Sequence, residues 1–401
     1  TGFSVNEEKG LLTLHGDEII YDFLTNGILT YMKKFEVLAS DDFSKKQIVK
    51  TKISSATVKV ENNLLEFEFD KLGYSASELK SILEGYVEKK KFVRLKDGSF
   101  LDLDEDDELQ FVSNLTKGID EPIEDIVKDL QNGRLVLPAY RSMYLDSILE
   151  KLKNTNITKD KTFKGITESL DDPTVTAYKV PKHLEDVLRV YQKDGFKWLS
   201  VLDDYKFGGI LADDMGLGKT LQIISLVQSY LEKNKEGRKT SIVICPSSLT
   251  LNWKNEFAKF APKVKVFAFS GNQEYRKKVF KEIKDYDVVI TSYDLLKRDI
   301  EEYENLKYTF KYVVADEAQY IKNASTKNSK ALKQLKGETR FALTGTPIEN
   351  ALSELWSIFD FLMPGFLYGQ DTFTRNFARP IEKNKDEVQA ALLKKMISVT
   401  F

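Results

Sequence analysis

Cysteine, histidine and tryptophan are scarce in this chain: its 401 residues hold one, two and three of them. A single cysteine closes no internal disulfide and builds no cysteine-ligated zinc site. Cys245 lies in the apolar run Ile242–Cys245, which reads as a buried, inert thiol suited to a reducing compartment. His15 and His183 stand far apart in sequence without ligand spacing, so both read as structural or surface residues. No apolar run is long enough to span a bilayer and no N-terminal signal segment is recognisable, so no membrane partner is expected. The net charge of −2 does not by itself mark a nucleic-acid partner.

Hydrophobic residues make up 42% and charged residues 30%, the balance of a core-forming globular chain, and the length suits two or three domains. The charge is unevenly spread. Residues 1–170 carry 24 Lys and Arg against 31 Asp and Glu, and the remainder carries 36 against 31. A mildly positive second part permits a polyanion partner, and a solvated lysine face has the same composition. The chain opens Thr1-Gly2-Phe3 rather than with methionine, so a piece of a longer or processed chain is expected.

The most informative stretch runs from Gly208 to Gln222. The apolar Ile210–Ala212 reads as a short buried strand, and the periodic run Leu221–Leu231 as a helix. Between them, Gly216 and Gly218 let the loop fold back and expose its N–H groups at a helix N-terminus, where phosphate oxygens bind. Lys219 adds a charge for the β- and γ-phosphates, and the Thr220 hydroxyl suits their magnesium ion. The match to the phosphate-loop pattern is incomplete, because its first glycine is Asp213 here. About a hundred residues on, Tyr312–Gln319 reads as a second buried strand ending in two carboxylates. An acid ending a strand beside the first can hold magnesium, which suits Asp316; a second can polarise the attacking water, which suits Glu317.

Residues 1–170 read as a mixed α+β region ending mostly in helices. Helices are expected at 17–30, from a Ser75–Glu78 capping box to about Lys90, and near 121–131, 138–153 and 159–169. Strands are expected at 52–60 and 64–69, joined at Glu61-Asn62-Asn63, and at 92–95 and 99–103. The acidic run Asp102–Glu108 lacks calcium-loop spacing and reads as a solvated helix start. After a polar, proline-flanked stretch at 171–183, strand-like runs near 208–212, 241–245, 264–269, 287–291, 311–315 and 339–343 alternate with amphipathic helices. That alternation implies right-handed crossovers and a parallel sheet covered on both faces, with ligand groups at the strands' carboxyl ends.

These motifs resemble a known family in content and order. Residues 184–365 resemble the first RecA-like lobe of Swi/Snf-type ATPases of helicase superfamily 2. Leu188–Leu199 is similar to the adenine-reading Q motif, Asp213–Thr220 to the family's phosphate loop, and Cys245–Leu249 with Asn252-Trp253 to motif Ia. Thr291–Asp294 is similar to motif Ib, Asp316–Gln319 to motif II, and Leu343–Asn350 to motif III and its family-specific extension. The family also carries an acid at the Asp213 position. Residues 1–170 more loosely resemble the accessory domain of bacterial Swi/Snf-type proteins, through Leu64–Phe69 and Phe92–Leu101.

The resemblance implies an α/β fold, a RecA-like parallel sheet with helices on both faces over 184–401, preceded by an α+β accessory domain at 1–170 and a linker at 171–183. It implies ATP and Mg2+ as cofactors. Nucleotide contact then falls to Arg189, Gln192, Asp214, Met215, Gly216, Leu217, Gly218, Lys219, Thr220 and Leu221. Catalysis falls to Lys219, Asp316, Glu317 and Gln319, with the metal on Thr220 and Asp316. Double-stranded DNA is the implied track, met by Ser247, Ser248, Thr291, Ser292 and Thr344; such small polar residues also serve as helix caps. Protein partners through 1–170 and a bacterial, cytoplasmic setting complete the expectation. The family's arginine fingers come from a second lobe, and no such motifs follow Gly365, so weak DNA binding and very slow hydrolysis are expected of this chain alone. A strand-separating helicase and a nucleotide-switched binding module share the same nucleotide residues and stay open.

Overall fold

The computed structural model describes residues 3–6, 10–36, 38, 40, 43, 48–116, 122–149, 152, 154–214, 216–346, 351–397 and 400. Two units partition the chain: Thr1–Leu137 with Leu145–Asp160, and Pro138–Tyr144 with Lys161–Phe401.

The first unit is built on short strands. β1 (Phe3–Asn6) and β2 (Leu11–Leu14) form an antiparallel ribbon. Along β4 (Ser55–Glu61) and β5 (Leu64–Phe69), Ala56, Val58, Leu65, Phe67 and Phe69 are buried, one residue in two, as a sheet with one packed face requires. Their turn uses positive φ at Asn62 and Asn63, the geometry of a tight hairpin. β3 (Ile48–Val49), β6 (Phe92–Arg94) and β7 (Phe100–Asp102) form a second small sheet. The Ser75–Glu78 capping box closes with both bonds and starts the helix Ala76–Glu88.

Two expectations change here. β8 (Arg134–Pro138) and β9 (Asn156–Lys159) were not expected; they fall between the expected helices and flank β5 and β4 in the order β8-β5-β4-β9. The acidic run is not a solvated helix start throughout. Asp102 and Asp106 are buried: Asp102 accepts the Asp104 and Glu105 N–H groups, and Asp106 those of Thr51 and Leu109. Backbone donors replace the water that these carboxylates lose.

The second unit carries one six-stranded sheet, parallel throughout. Its strands are β10 (Gly209–Leu211), β11 (Ser241–Cys245), β12 (Val266–Ala268), β13 (Val288–Ser292), β14 (Thr309–Asp316) and β15 (Lys336–Leu343). Their order is β10-β15-β14-β11-β13-β12. Every residue of β11 and β13 is buried, the pattern of strands covered on both faces. The strand that ends in Asp316 is not beside the loop strand, as expected, because β15 lies between them. Apolar content marks a strand as buried; its neighbours depend on where each crossover returns.

The helix Val190–Asp204 is pinned to the amino end of this sheet through Asp203. Asp203 accepts from Lys311 Nζ, the Tyr312 hydroxyl and the Thr339 hydroxyl, each at 2.8 Å. Glu338 lies 3.2 Å from the same buried lysine. Asp203→Ala would strand much of that charge, with Glu338 as the remaining partner. The expected loss is near the lower end of the ~3–5 kcal/mol seen when one member of a buried pair is removed, read by urea denaturation.

Candidate active site

The carboxyl edge of the sheet gathers the motifs. The register pairs Leu211 with Leu343, Leu343 with Asp316, and Cys245 with Ser292, so the loops after β10, β15, β14, β11 and β13 leave one edge.

The loop after β10 runs into the helix Lys219–Lys233. Gly216 and Gly218 take φ of +85° and +79°, which open the turn. The loop is gripped from behind. The Tyr191 hydroxyl and Gln192 Nε2 both donate to the Leu217 carbonyl, at 3.0 and 2.9 Å. Gln192 Oε1 accepts the Arg189 N–H at 2.9 Å, which leaves this buried amide one further N–H. Lys219 Nζ donates to the Asp213 and Asp214 carbonyls, at 2.6 and 3.2 Å, which holds the ammonium over the loop. Asp213 in turn accepts from the buried Gln222 Nε2 at 2.9 Å. Thr220 and Leu221 lie in the first turn of the helix, Arg189 is exposed, and Met215 lies outside the described residues.

β14 ends in Asp316, buried, with its carboxylate met on both oxygens. Trp253 Nε1 donates to Oδ2 at 2.7 Å and the Glu317 N–H to Oδ1 at 3.0 Å. Burial raises its pKa from the ordinary value; the Trp253 bond opposes this, the Glu317 charge adds to it, and the Glu317 N–H bond and the charge of Lys219 lower it. A desolvated carboxylate that still has lone pairs to offer favours a cation. Magnesium held by one carboxylate and by phosphates needs no larger cluster, and none of three or more acidic, histidine or cysteine ligands occurs among the described residues.

Glu317 sits at φ +51°, a left-handed backbone costing roughly 1–3 kcal/mol, as functional turns often do. Gln319 Nε2 donates to Glu317 Oε2 at 2.8 Å, and Thr344 Oγ1 donates to Gln319 Oε1 at 3.3 Å. A polar chain therefore links Glu317 to the end of β15. Pro347–Asn350 of the expected motif III extension lie outside the described residues.

The five residues expected to meet nucleic acid divide. Ser247 and Ser248 are exposed after β11. Thr291, Ser292 and Thr344 are buried, so their side chains do not offer a surface contact. Ser292 instead accepts the Leu295 N–H as a helix cap, and Thr344 accepts the Thr346 N–H. Their position at strand ends was legible from sequence, whereas their burial was not. Sequence reasoning did not anticipate the bonds from Trp253, Tyr191 and Gln222; indole and amide side chains in apolar, helical surroundings gave the only signal.

A parallel sheet whose carboxyl edge collects a glycine-cornered loop and two acids is a RecA-like α/β lobe, and such lobes handle nucleotides. The chain belongs to the SNF2 family: the SNF2-related domain matches residues 191–400, and the bacterial SNF2 helicase-associated domain matches residues 1–181. It is 36% identical over 338 residues to an ATP-dependent helicase of Mycoplasma genitalium, covering 84% of this chain and 32% of that protein. It is 41% identical over 239 residues to the TATA-binding protein-associated factor mot1 of Schizosaccharomyces pombe, covering 57% of this chain and 12% of that protein. The Sulfolobus solfataricus SWI2/SNF2 ATPase core, solved in complex with dsDNA, is 43% identical with a TM-score of 0.48, covering 53% of this chain and 43% of that one.

The two loop glycines differ in what a side chain would meet. A Cβ on Gly216 meets nothing within 4 Å, whereas one on Gly218 lies 2.3 Å from Gln192 Nε2. Gly216→Ala should therefore cost only the left-handed backbone term of ~1–2 kcal/mol. Gly218→Ala should cost distinctly more and loosen the loop's bond to Gln192. Paired denaturation curves read the difference.

Proposed function

We propose that the complete protein hydrolyses ATP to translocate along double-stranded DNA and so remodel protein–DNA complexes. Residues 184–401 serve as its first nucleotide-binding lobe, 171–183 as a linker, and 1–170 as an accessory domain for protein partners. The observation that carries the reading is the convergence of the glycine loop, Asp316, Glu317 and the Gln319–Thr344 bridge on one sheet edge. Membership of the SNF2 family supports ATP as the nucleotide, and the bacterial helicase-associated match supports a bacterial source and a cytoplasmic setting. No helix among the described residues is long and apolar enough to cross a membrane.

In this reading, phosphates take the loop N–H groups, and the Lys219 ammonium turns to them from the Asp213 and Asp214 carbonyls. Asp214, Met215, Gly216, Leu217, Gly218 and Leu221 line the same loop and helix start, with Arg189 and Gln192 on the adenine side. Asp316 and Thr220 would hold magnesium, which neutralises charge on the phosphates when bound. Glu317 orients the attacking water and accepts its proton, and Gln319 holds Glu317 in place. Ser247 and Ser248 meet the DNA backbone, which positions the strand without reading its sequence. These groups all approach from one sheet edge, so the charge developing in transfer calls for donors from a facing lobe. An arginine finger is worth ~10³–10⁵ in rate, so residues 1–401 alone should turn over slowly and bind duplex weakly.

Lys219→Ala should weaken magnesium-ATP binding to residues 1–401 by ~10–100-fold, the value of a lost hydrogen bond to a charged group. Calorimetry on the folded variant, showing unchanged affinity, would contradict the assignment.

In the complete protein, blunt duplex should stimulate ATP turnover more than single strands do, and Glu317→Gln should abolish turnover while nucleotide still binds. Preference for single strands would favour a strand-separating helicase, a reading that the name of the Mycoplasma relative supports. Undiminished turnover in Glu317→Gln would point to a binding module instead.

A further inference from the structure

Two buried donors near Asp316 have no part in the chemistry above. Trp253 donates its indole N–H to Asp316 Oδ2 at 2.7 Å, and Tyr293 donates its hydroxyl to the Asp316 main-chain oxygen at 2.8 Å. Their exposures are 1% and 2%. A buried indole or phenol needs some partner, and any carbonyl would serve. Here both partners belong to one residue, the acid at the centre of the site.

The donors come from separate loops. Trp253 lies in the first turn of the helix Thr250–Phe260, directly after the exposed Ser247-Ser248. Tyr293 opens the helix Tyr293–Arg298 after β13. β11 lies between β13 and β14, so the two loops flank the end of the Asp316 strand on one side. Tyr293 also reaches past Asp316. Its ring stacks on Tyr320, with centroids 5.2 Å apart and planes 5° from parallel, and the Tyr320 N–H donates to the Glu317 carbonyl at 3.0 Å. The strained Glu317 backbone is thus held between two groups that Tyr293 touches.

We infer that Trp253 and Tyr293 are positioning residues that transmit backbone contact at the Ser247-Ser248 loop to Asp316 and Glu317. The inference rests on the duplex-DNA reading above. A desolvated carboxylate has few alternative donors, and Trp253 is the one of its two donors that comes from another loop, so Asp316 follows it. A shift of the helix Thr250–Phe260 when the loop before it is engaged moves the Trp253 N–H, and Asp316 moves with it. Tyr293 holds the peptide of Asp316, which turns that displacement into a rotation of the carboxylate instead of a slide of the strand.

The test uses the complete protein with Trp253→Phe and Tyr293→Phe. The second keeps the ring and its stack on Tyr320, and thermal unfolding of both variants checks that they fold. Steady-state ATPase is measured with and without blunt duplex, together with the KM for ATP and the Kd for duplex by fluorescence anisotropy. The ratio of stimulated to unstimulated kcat should fall by about tenfold in each variant, as expected for one lost hydrogen bond to a charged or strained group, while KM and duplex Kd stay within about threefold. Full stimulation in a folded Tyr293→Phe would overturn the inference. A parallel loss of duplex affinity would also overturn it, because the residues would then serve only to shape the contact surface. Wild-type protein that duplex fails to stimulate would remove the duplex reading, and the inference with it.

Discussion

A carboxylate at the end of a buried strand imposes conditions on everything around it. Asp316 is cut off from most water, and a charge left unpaired there costs more than folding has to spare. Two N–H groups and the nearby charge of Lys219 offset part of that cost. Each has a consequence. The Trp253 bond fixes how the helix Thr250–Phe260 sits against the sheet. The Glu317 bond requires its N–H to turn back on the preceding residue, and Glu317 adopts a left-handed backbone there. The geometry that satisfies the first acid therefore also sets the direction of the second.

Parallel pairing brings these groups to one edge, and two layers of side-chain bonding hold that edge still. At the amino end, Asp203 ties the helix Val190–Asp204 to β14 and β15 through Lys311, Tyr312 and Thr339. At its other end, the same helix presents Tyr191 and Gln192 to the Leu217 carbonyl. The Leu217 N–H is spent inside the loop on the Asp214 carbonyl, and the rest of the loop's support comes through its carbonyls and from outside. Fixing both ends of one helix makes that support independent of the loop's own contacts.

Much of this was legible in the sequence, and the losses have physical causes. The six strands of the sheet, the glycine loop and the acid pair were readable because buried parallel strands are continuous apolar runs punctuated by glycine and acids. Strand order was not, since β15 enters between β10 and β14 by a crossover that leaves no local trace. β8 and β9 were too short, at five and four residues, to compete with the helical patterns around them. The burial of Thr291, Ser292 and Thr344 was hidden for another reason. A small hydroxyl at a strand end looks the same whether solvent or a packed helix lies over it. Asp102 and Asp106 follow the same rule, as acids that read as surface until their backbone donors are seen.

Asp213 shows how a departure from pattern can be structural sense. An acid at the mouth of a phosphate-binding loop should repel the ligand, and the usual pattern has glycine there. In this fold the Asp213 carboxylate accepts from Gln222, a fully buried amide in the first turn of the helix that follows. Its main-chain carbonyl meanwhile accepts from Lys219. One residue thus ties both ends of the loop: the side chain anchors the helix and the carbonyl holds the lysine. A glycine at 213 would offer only the second bond. The carboxylate is engaged by the Gln222 amide, so it stiffens the loop at the point where phosphate arrives. Stiffness matters there because preorganised donors stabilise a multivalent anion without first having to reorganise.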